Sequence, residues 1–177
     1  MERKGKLSVV ECLRQEQANA VQLYLQYKGY HWNVNGPFFH DLHTMFDENA
    51  TRVLETVDEL AERQRILGFP AEYTLKHLLL STTLMEEEKL PTNPKGMVEH
   101  LVLSHRLMIR ELKKGYELAD RESDLGTADL CTRLVQIHEK MEWFLRELLE
   151  SPSPVLEGIG IGPVVSPRKE VPIPTGR

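Results

Sequence analysis

The chain has 177 residues, a length that suits one domain. Its 41% hydrophobic residues are enough for a core, while 28% charged residues leave no run of the ~20 apolar residues that a membrane-spanning helix needs. A net charge of −5 argues against a strongly basic nucleic-acid binder and fits a protein that handles cations. The opening MERKGKLSVVE carries charge but no apolar run and no small-residue cleavage site, so no signal peptide is expected and the cytoplasm is the expected location.

In chain order, residues 1–7 read as a short tail, and the first helix is expected to start at Ser8, with Glu11 completing a capping box. Its stripe is Val10, Leu13, Gln17, Ala20, Tyr24, Tyr27 and His31, in steps of three and four, and it ends near Asn33 before the turn Asn35-Gly36-Pro37. The second helix is expected from Pro37, with Phe39, Leu42, Phe46, Val53, Leu60 and Leu67 inward, until Gly68-Phe69-Pro70 stops it. Residues 69–93 form a long crossover with a short helix around Leu75 to Leu80. Asn93-Pro94 then caps a third long helix over about 95–119, with Met97, Leu101, Met108, Leu112 and Leu118 inward. Thr127 is expected to open the fourth, whose stripe is Leu130, Leu134, Ile137, Met141, Phe144 and Leu148. Cys12 and Cys131 fall in helical segments without a C-x-x-C partner and read as reduced packing residues.

Two long helices, a long crossover and two more long helices over residues 8–150 describe an all-α, ferritin-like four-helix bundle. The last 27 residues, 151–177, hold six of the ten prolines and four of the eleven glycines, so they read as an irregular tail. Val155, Leu156, Ile159, Ile161, Val164 and Val165 make that tail apolar, and part of it is expected to lie against the bundle or a neighbouring subunit.

Bundles of this class usually hold two irons inside one subunit on Glu and Glu-x-x-His pairs. None of the seven histidines here has a Glu three residues before it, so that intrasubunit site is missing. A different ligand set is present. His31 ends the stripe of the first helix, while His43 with Asp47, and Asp58 with Glu62, are i, i+4 pairs on the second. Histidine and carboxylate ligands with open coordination positions suit iron. His43 and Asp58 are fifteen residues apart, roughly 22 Å along a helix, and cannot share one ion within one chain. All five residues meet if two second helices pack antiparallel about a two-fold axis near Ala50 and Thr51, which gives two equal sites per dimer. Singly, each residue also has an ordinary reading, His31 as a hydrogen-bonded core residue and the acid pairs as solvated helix surface.

The segments HWNVNG (31–36), LHTMFDE (42–48) and DELAERQRILG (58–68), together with GTADL (126–130) and HEKMEWFLR (138–146), resemble the Dps family, the mini-ferritins of starved or oxidatively stressed bacteria. The resemblance implies a hollow homo-dodecamer with ferroxidase sites at dimer interfaces, two irons per shared site. The matching ligands are His31, His43, Asp58 and Glu62, with Asp47 nearby. It implies Fe²⁺ and hydrogen peroxide (less readily oxygen) as substrates, an Fe³⁺ mineral inside the shell, and protection against oxidative stress. Trp32 matches the tryptophan that flanks the family's site, where it donates an electron and limits radical escape. By the same analogy Asp120, Asp124 and Asp129 line a pore for iron, and Glu55 and Glu59 help to seed mineral. His40 and His77 are departures from the family pattern. Each is either plain surface or an added nitrogen ligand that shifts preference towards zinc, as a substitute or inhibitor. Some Dps relatives compact DNA through basic tails, and a nucleoid-associated DNA binder with secondary iron binding is the alternative. Here Arg3, Lys4 and Lys6 at one end and Arg168, Lys169 and Arg177 at the other are set against the negative subunit, so strong DNA binding is not expected.

Overall fold

The computed structural model describes residues 2–86 and 89–150, with side-chain surroundings from residue 8 onward. Five helices follow one another: α1 (Glu2–Asn33), α2 (Phe39–Ile66), α3 (Leu75–Ser81), α4 (Pro94–Arg121) and α5 (Leu125–Glu150). Among the described residues no segment is a strand, and no helix is long and apolar enough to cross a membrane. The apolar segment 151–177 lies outside the described residues, as does any contact it makes.

Side-chain pairs fix the helix directions. Tyr27 meets His105, and Tyr30 meets His100, so α1 and α4 are antiparallel. Gln17 meets Gln64, and Lys28 meets Asp47, so α1 and α2 are antiparallel too. Arg63 on α2 reaches Thr127 on α5, and Arg106 on α4 reaches Glu142 on α5. The crossover therefore runs the length of the bundle, and α4 returns parallel to α2. Residues 82–85 of the crossover are held against α1, where Thr83 N–H donates to Asn19 Oδ1 at 2.7 Å and Gln26 Nε2 donates to Met85 O at 3.1 Å.

The core is built from the expected stripes with three corrections. Leu13, Tyr27, Phe46, Leu60, Leu101, Met108, Leu112, Leu134 and Leu145 are fully buried. Phe39 is 46% exposed and Phe144 is 47% exposed, so neither belongs to the interior. On α5 the inward positions are His138 and Leu145, one residue on from the expected Ile137 and Phe144, because the buried imidazole of His138 finds a partner in His105. Ala50 is buried beside Phe46 and Val53 inside the bundle, so of the two residues expected at a two-fold contact only Thr51 faces outward.

Helix starts are corrected as well. The backbone of α1 is helical from Glu2, not Ser8: the stretch 2–7 contains no proline, and Gly5 costs only about 1 kcal/mol relative to alanine. α2 starts at Phe39, two residues later than expected, after a turn in which Gly36 takes φ +102, a conformation that needs glycine. α5 starts at Leu125 rather than Thr127. Asp124 caps it, accepting from Thr127 N–H at 3.1 Å and from Thr127 Oγ1 at 2.6 Å. α4 starts as expected, with Asn93 Oδ1 accepting from Gly96 N–H at 2.8 Å.

Cys12 on α1 and Cys131 on α5 are free thiols that meet on the bundle axis. Burial pushes both up to about 12. They approach across Gly115 of α4, where an added Cβ would stand 2.9 Å from Cys12 Sγ and 3.2 Å from Cys131 Sγ. α1 and α5 are diagonal neighbours with no pair of Cα atoms within 8 Å, too far for a disulfide without backbone movement.

Candidate metal centre

The site begins where α1 runs into α2 through a five-residue loop. That short link brings His31, in the last turn of α1, beside His43, in the second turn of α2. Their rings stack with centroids 3.7 Å apart and planes 22° apart. Each Nδ1 lies 2.8 Å from the other residue's backbone oxygen, His31 Nδ1 at His43 O and His43 Nδ1 at His31 O. A carbonyl oxygen only accepts, so each Nδ1 carries the proton and donates. In the neutral ring Nε2 is then the nitrogen with the free lone pair, the tautomer in which histidine binds a metal. Both residues are half-buried, so the rings are anchored while their edges stay reachable.

Asp47 stands one turn after His43. Its carboxylate accepts from Lys28 Nζ at 2.6 Å, and that hydrogen bond, ahead of the attraction of Lys28, His31 and His43, holds it below the usual carboxylate range. The same ammonium lies 5.8 Å from the ring centroid of Trp32, which is 67% exposed. Lys28 was not singled out by the sequence. Its position three residues before His31, on the same helix face, was the available signal.

At the other end of α2, Asp58 and Glu62 are exposed and make no hydrogen bond or ion pair among the described residues. Their neighbours differ: Glu59 pairs with Arg133 at 2.5 Å and Glu55 with Arg52 at 2.6 Å. Asp47, Thr51, Leu54, Asp58 and Glu62 recur in steps of three and four, so they lie on one face of α2. Leu54, between the two ligand pairs, is 48% exposed. Among the described residues of a single chain, no three His, Cys, Asp or Glu residues converge as a metal-binding group. The structure thus brings His31 and His43 together, holds Asp47 one turn further on against Lys28, and leaves Asp58 and Glu62 apart from them.

The remaining sequence candidates divide. His40 is almost fully exposed and pairs loosely with Asp41 at 3.6 Å. His77 on α3 lies 3.0 Å from Glu72. The Glu72 carboxyl is held down to about 2, chiefly by the Thr74 backbone N–H and then by Tyr73, the Thr74 hydroxyl and His77. Asp120 and Asp129 are exposed. Asp124 is engaged within the subunit: besides capping α5, it is bonded to Arg63. Burial alone would raise Asp124, but the Thr127 hydrogen bonds and Arg63 outweigh it and hold the group ionised.

The chain is similar to known proteins over most of its described length. A family model for the ferritin-like domain matches residues 10–153. DNA protection during starvation protein 2 of Bacillus anthracis is 35% identical over 141 residues, covering 80% of this chain and 96% of the relative. The X-ray structure of Dps from Thermosynechococcus elongatus superposes with a TM-score of 0.82 at 40% identity, covering 88% of this chain and 98% of that one. A Dps from Vibrio cholerae O1, described as a member of a broad superfamily of ferritin-like diiron-carboxylate proteins, superposes with a TM-score of 0.79 at 26% identity, covering 83% and 92%. The fold and the family model define a ferritin-like bundle. Within that class, the chain belongs to the Dps family.

Proposed function

We propose that this chain is the subunit of a hollow shell, twelve copies by family analogy, that oxidises Fe²⁺ at sites shared between two subunits and keeps Fe³⁺ as mineral inside. The observation that carries this reading is the division of one ligand set into two halves, one where α1 meets the start of α2 and one towards the far end of α2. His31 and His43 offer two free Nε2 atoms at one end. Asp58 and Glu62 offer two carboxylates without partners among the described residues at the other. A second α2 packed antiparallel sets each half against its complement, with Thr51 and Leu54 at the axis.

Iron is the substrate. The donor set fits it: neutral imidazole and carboxylate hold Fe²⁺, and the carboxylates favour the product Fe³⁺ by charge. Two Fe²⁺ at one site supply the two electrons that hydrogen peroxide takes in becoming water. Oxygen needs four for the same end, so peroxide is the preferred oxidant. Lys28 keeps Asp47 ionised beside the histidine pair. Trp32, exposed next to His31, is placed to give up an electron at the rim. Zinc, which accepts the same ligands, competes for the site without redox chemistry. His40 and His77 remain outside this ligand set, His77 being engaged with Glu72 on the crossover.

The test is subunit mixing. His43→Ala and Asp58→Ala should each abolish fast peroxide-driven Fe²⁺ oxidation. Subunit exchange between the two should restore about a quarter of the sites, because random dimers are half mixed and one of their two sites keeps both ligands. No recovery despite proven exchange would overturn the shared-site reading.

A further inference from the structure

Tyr27 lies fully buried on α1, one turn before His31. Its Oη is 2.6 Å from His105 Nε2, and Asn49 Nδ2 donates to the same Oη at 3.4 Å. His105 Nδ1 in turn lies 3.0 Å from His138 Nδ1. Burial holds His105 well below the ordinary histidine range, helped by His138, and holds His138 down to about 4, so both rings are neutral. The proton positions follow. The phenol donates to His105 Nε2, which is therefore unprotonated. His105 then carries its proton on Nδ1 and donates it to His138 Nδ1, and His138 keeps its own proton on Nε2, an atom with no partner among the described residues. The three residues form a one-way chain from a phenol, through one neutral base, to a second.

We propose that Tyr27 is a redox-active residue that supplies one electron to iron oxidation, its phenolic proton passing to His105 as the electron leaves. This rests on the function proposed above. In an apolar interior a phenol cannot leave behind a radical cation, because the charge would be unsolvated. A neutral base at 2.6 Å removes that obstacle, since the proton moves across an existing hydrogen bond and leaves a neutral tyrosyl radical. Trp32 is placed differently: it is 67% exposed at the rim, with the Lys28 ammonium 5.8 Å from its ring centroid, so water rather than a buried base takes up its charge. Tyr27 is about 6 Å from His31 along α1, and its ring centroid is 6.2 Å from that of Phe46, which sits on α2 between His43 and Asp47.

The electron count gives the role. Hydrogen peroxide takes two electrons and two protons to form two waters. A site holding a single Fe²⁺ supplies one electron, and the remainder is a hydroxyl radical. With Tyr27 as second donor, one peroxide, one Fe²⁺, the Tyr27 phenol, neutral His105 and two protons from solvent give two waters, Fe³⁺, a tyrosyl radical and protonated His105. A further Fe²⁺ returns one electron to the radical, and the proton goes back from His105 to Tyr27. His105 Nδ1 can meanwhile pass its proton to His138, which separates the charge from the radical. Burial makes both imidazolium forms unfavourable, so the state is short-lived and the phenol is restored. Tyr27 thus covers half-filled sites, where two-iron chemistry is not possible.

The experiment is rapid-freeze EPR on the assembled full chain, loaded with one Fe²⁺ per shared site and mixed with one equivalent of hydrogen peroxide, with spin trapping in parallel. The expected result is a tyrosyl signal that narrows when the protein is made with ring-deuterated tyrosine. Tyr27→Phe should remove the signal and raise trapped hydroxyl radical severalfold, while Tyr24→Phe keeps the signal. His105→Gln retains a hydrogen-bond acceptor but no base, and should cut the signal at least tenfold. If Tyr27→Phe fails to assemble, the deuterium narrowing together with His105→Gln still decides the matter. Fast oxidation by the unmodified chain without a tyrosyl signal, or with a signal that survives both substitutions, overturns the proposal and leaves the shared-site function standing. No peroxide-driven Fe²⁺ oxidation at all overturns both.

Discussion

Glu16→Gln should make the protein more stable at alkaline pH and leave it nearly unchanged at acid pH. Glu16 is 1% exposed on the inner face of α1. One carboxyl oxygen accepts from Asn19 Nδ2 at 3.4 Å and Gln15 Nε2 at 3.5 Å, while the other has no partner among the described residues. Burial first, and then the neighbouring Glu111, raise this group from an ordinary value of 4.5 to about 8. Glu111 itself stays ionised because Lys114 and Arg110 bind it, at 2.9 Å each. The sign follows from linkage. Below pH 4.5 both folded and unfolded chains carry the proton, and the stability is fully present. Between 4.5 and 8 the unfolded chain has released it and the folded chain has not, so stability falls as pH rises. Above about 8 the loss is complete. At ~1.4 kcal/mol per tenfold change in proton affinity, the upper bound is roughly 5 kcal/mol, and relaxation around the site makes 2–3 kcal/mol a fair expectation, or roughly 5–10 °C in Tm. Glutamine has the shape of the protonated acid and no proton to lose. The assay is apparent Tm at pH 5 and pH 8.5, at one scan rate and one subunit concentration because assembly shifts Tm. A gap between variant and parent that stays constant across this range would refute the reasoning, since it would show that Glu16 does not titrate differently on folding.

Two further outcomes follow from other parts of the molecule. In stopped-flow absorbance with two Fe²⁺ per site, peroxide should oxidise bound iron much faster than air does, with about two Fe²⁺ consumed per peroxide, and equal rates with the two oxidants would favour an oxygen-driven ferritin instead. Gly115→Ala should destabilise the bundle by about 1 kcal/mol, as overpacking of about 1–3 kcal/mol outweighs the helix propensity gained; adding Cys12→Ala should recover part of the loss in a denaturant double-mutant cycle, and strict additivity would show that the thiol is not what the new methyl meets.

The bundle was legible because its signals are local. Steps of three and four placed Leu13, Phe46, Leu101 and Leu134 inward, and Asn93-Pro94 and Gly68-Phe69-Pro70 marked ends that the structure keeps. What failed were positions where a neighbour from another helix decides. Ile137 and His138 are equally compatible with a helical stripe, and hydrophobicity favours the isoleucine. The imidazole is nevertheless the buried one, because His105 of α4 satisfies it. Asp124 reads as loop acid until Arg63, 61 residues away in the chain, is brought to it. Ser8 looks like a cap, yet a helix already stabilised by packing along Val9, Val10 and Leu13 continues through it.

The candidate site shows the same division. Spacing identified His43 with Asp47 and Asp58 with Glu62 as pairs, and it showed that one chain cannot close them around one ion. It could not show that the His31 and His43 rings stack at 3.7 Å, each donating to the other's backbone oxygen, since that depends on how the five-residue loop returns the chain. That reciprocal bonding bears most on the chemistry. It fixes both ring orientations before any ion arrives, so the nitrogens left to face a metal are the two Nε2 atoms. The acid half, Asp58 and Glu62, is exposed and carries no such internal bonding among the described residues. A ligand set divided in this way leaves each isolated subunit with an incomplete site. On this reading, iron oxidation waits for the contact that builds the shell, and Fe²⁺ meets its oxidant only where the product can be enclosed.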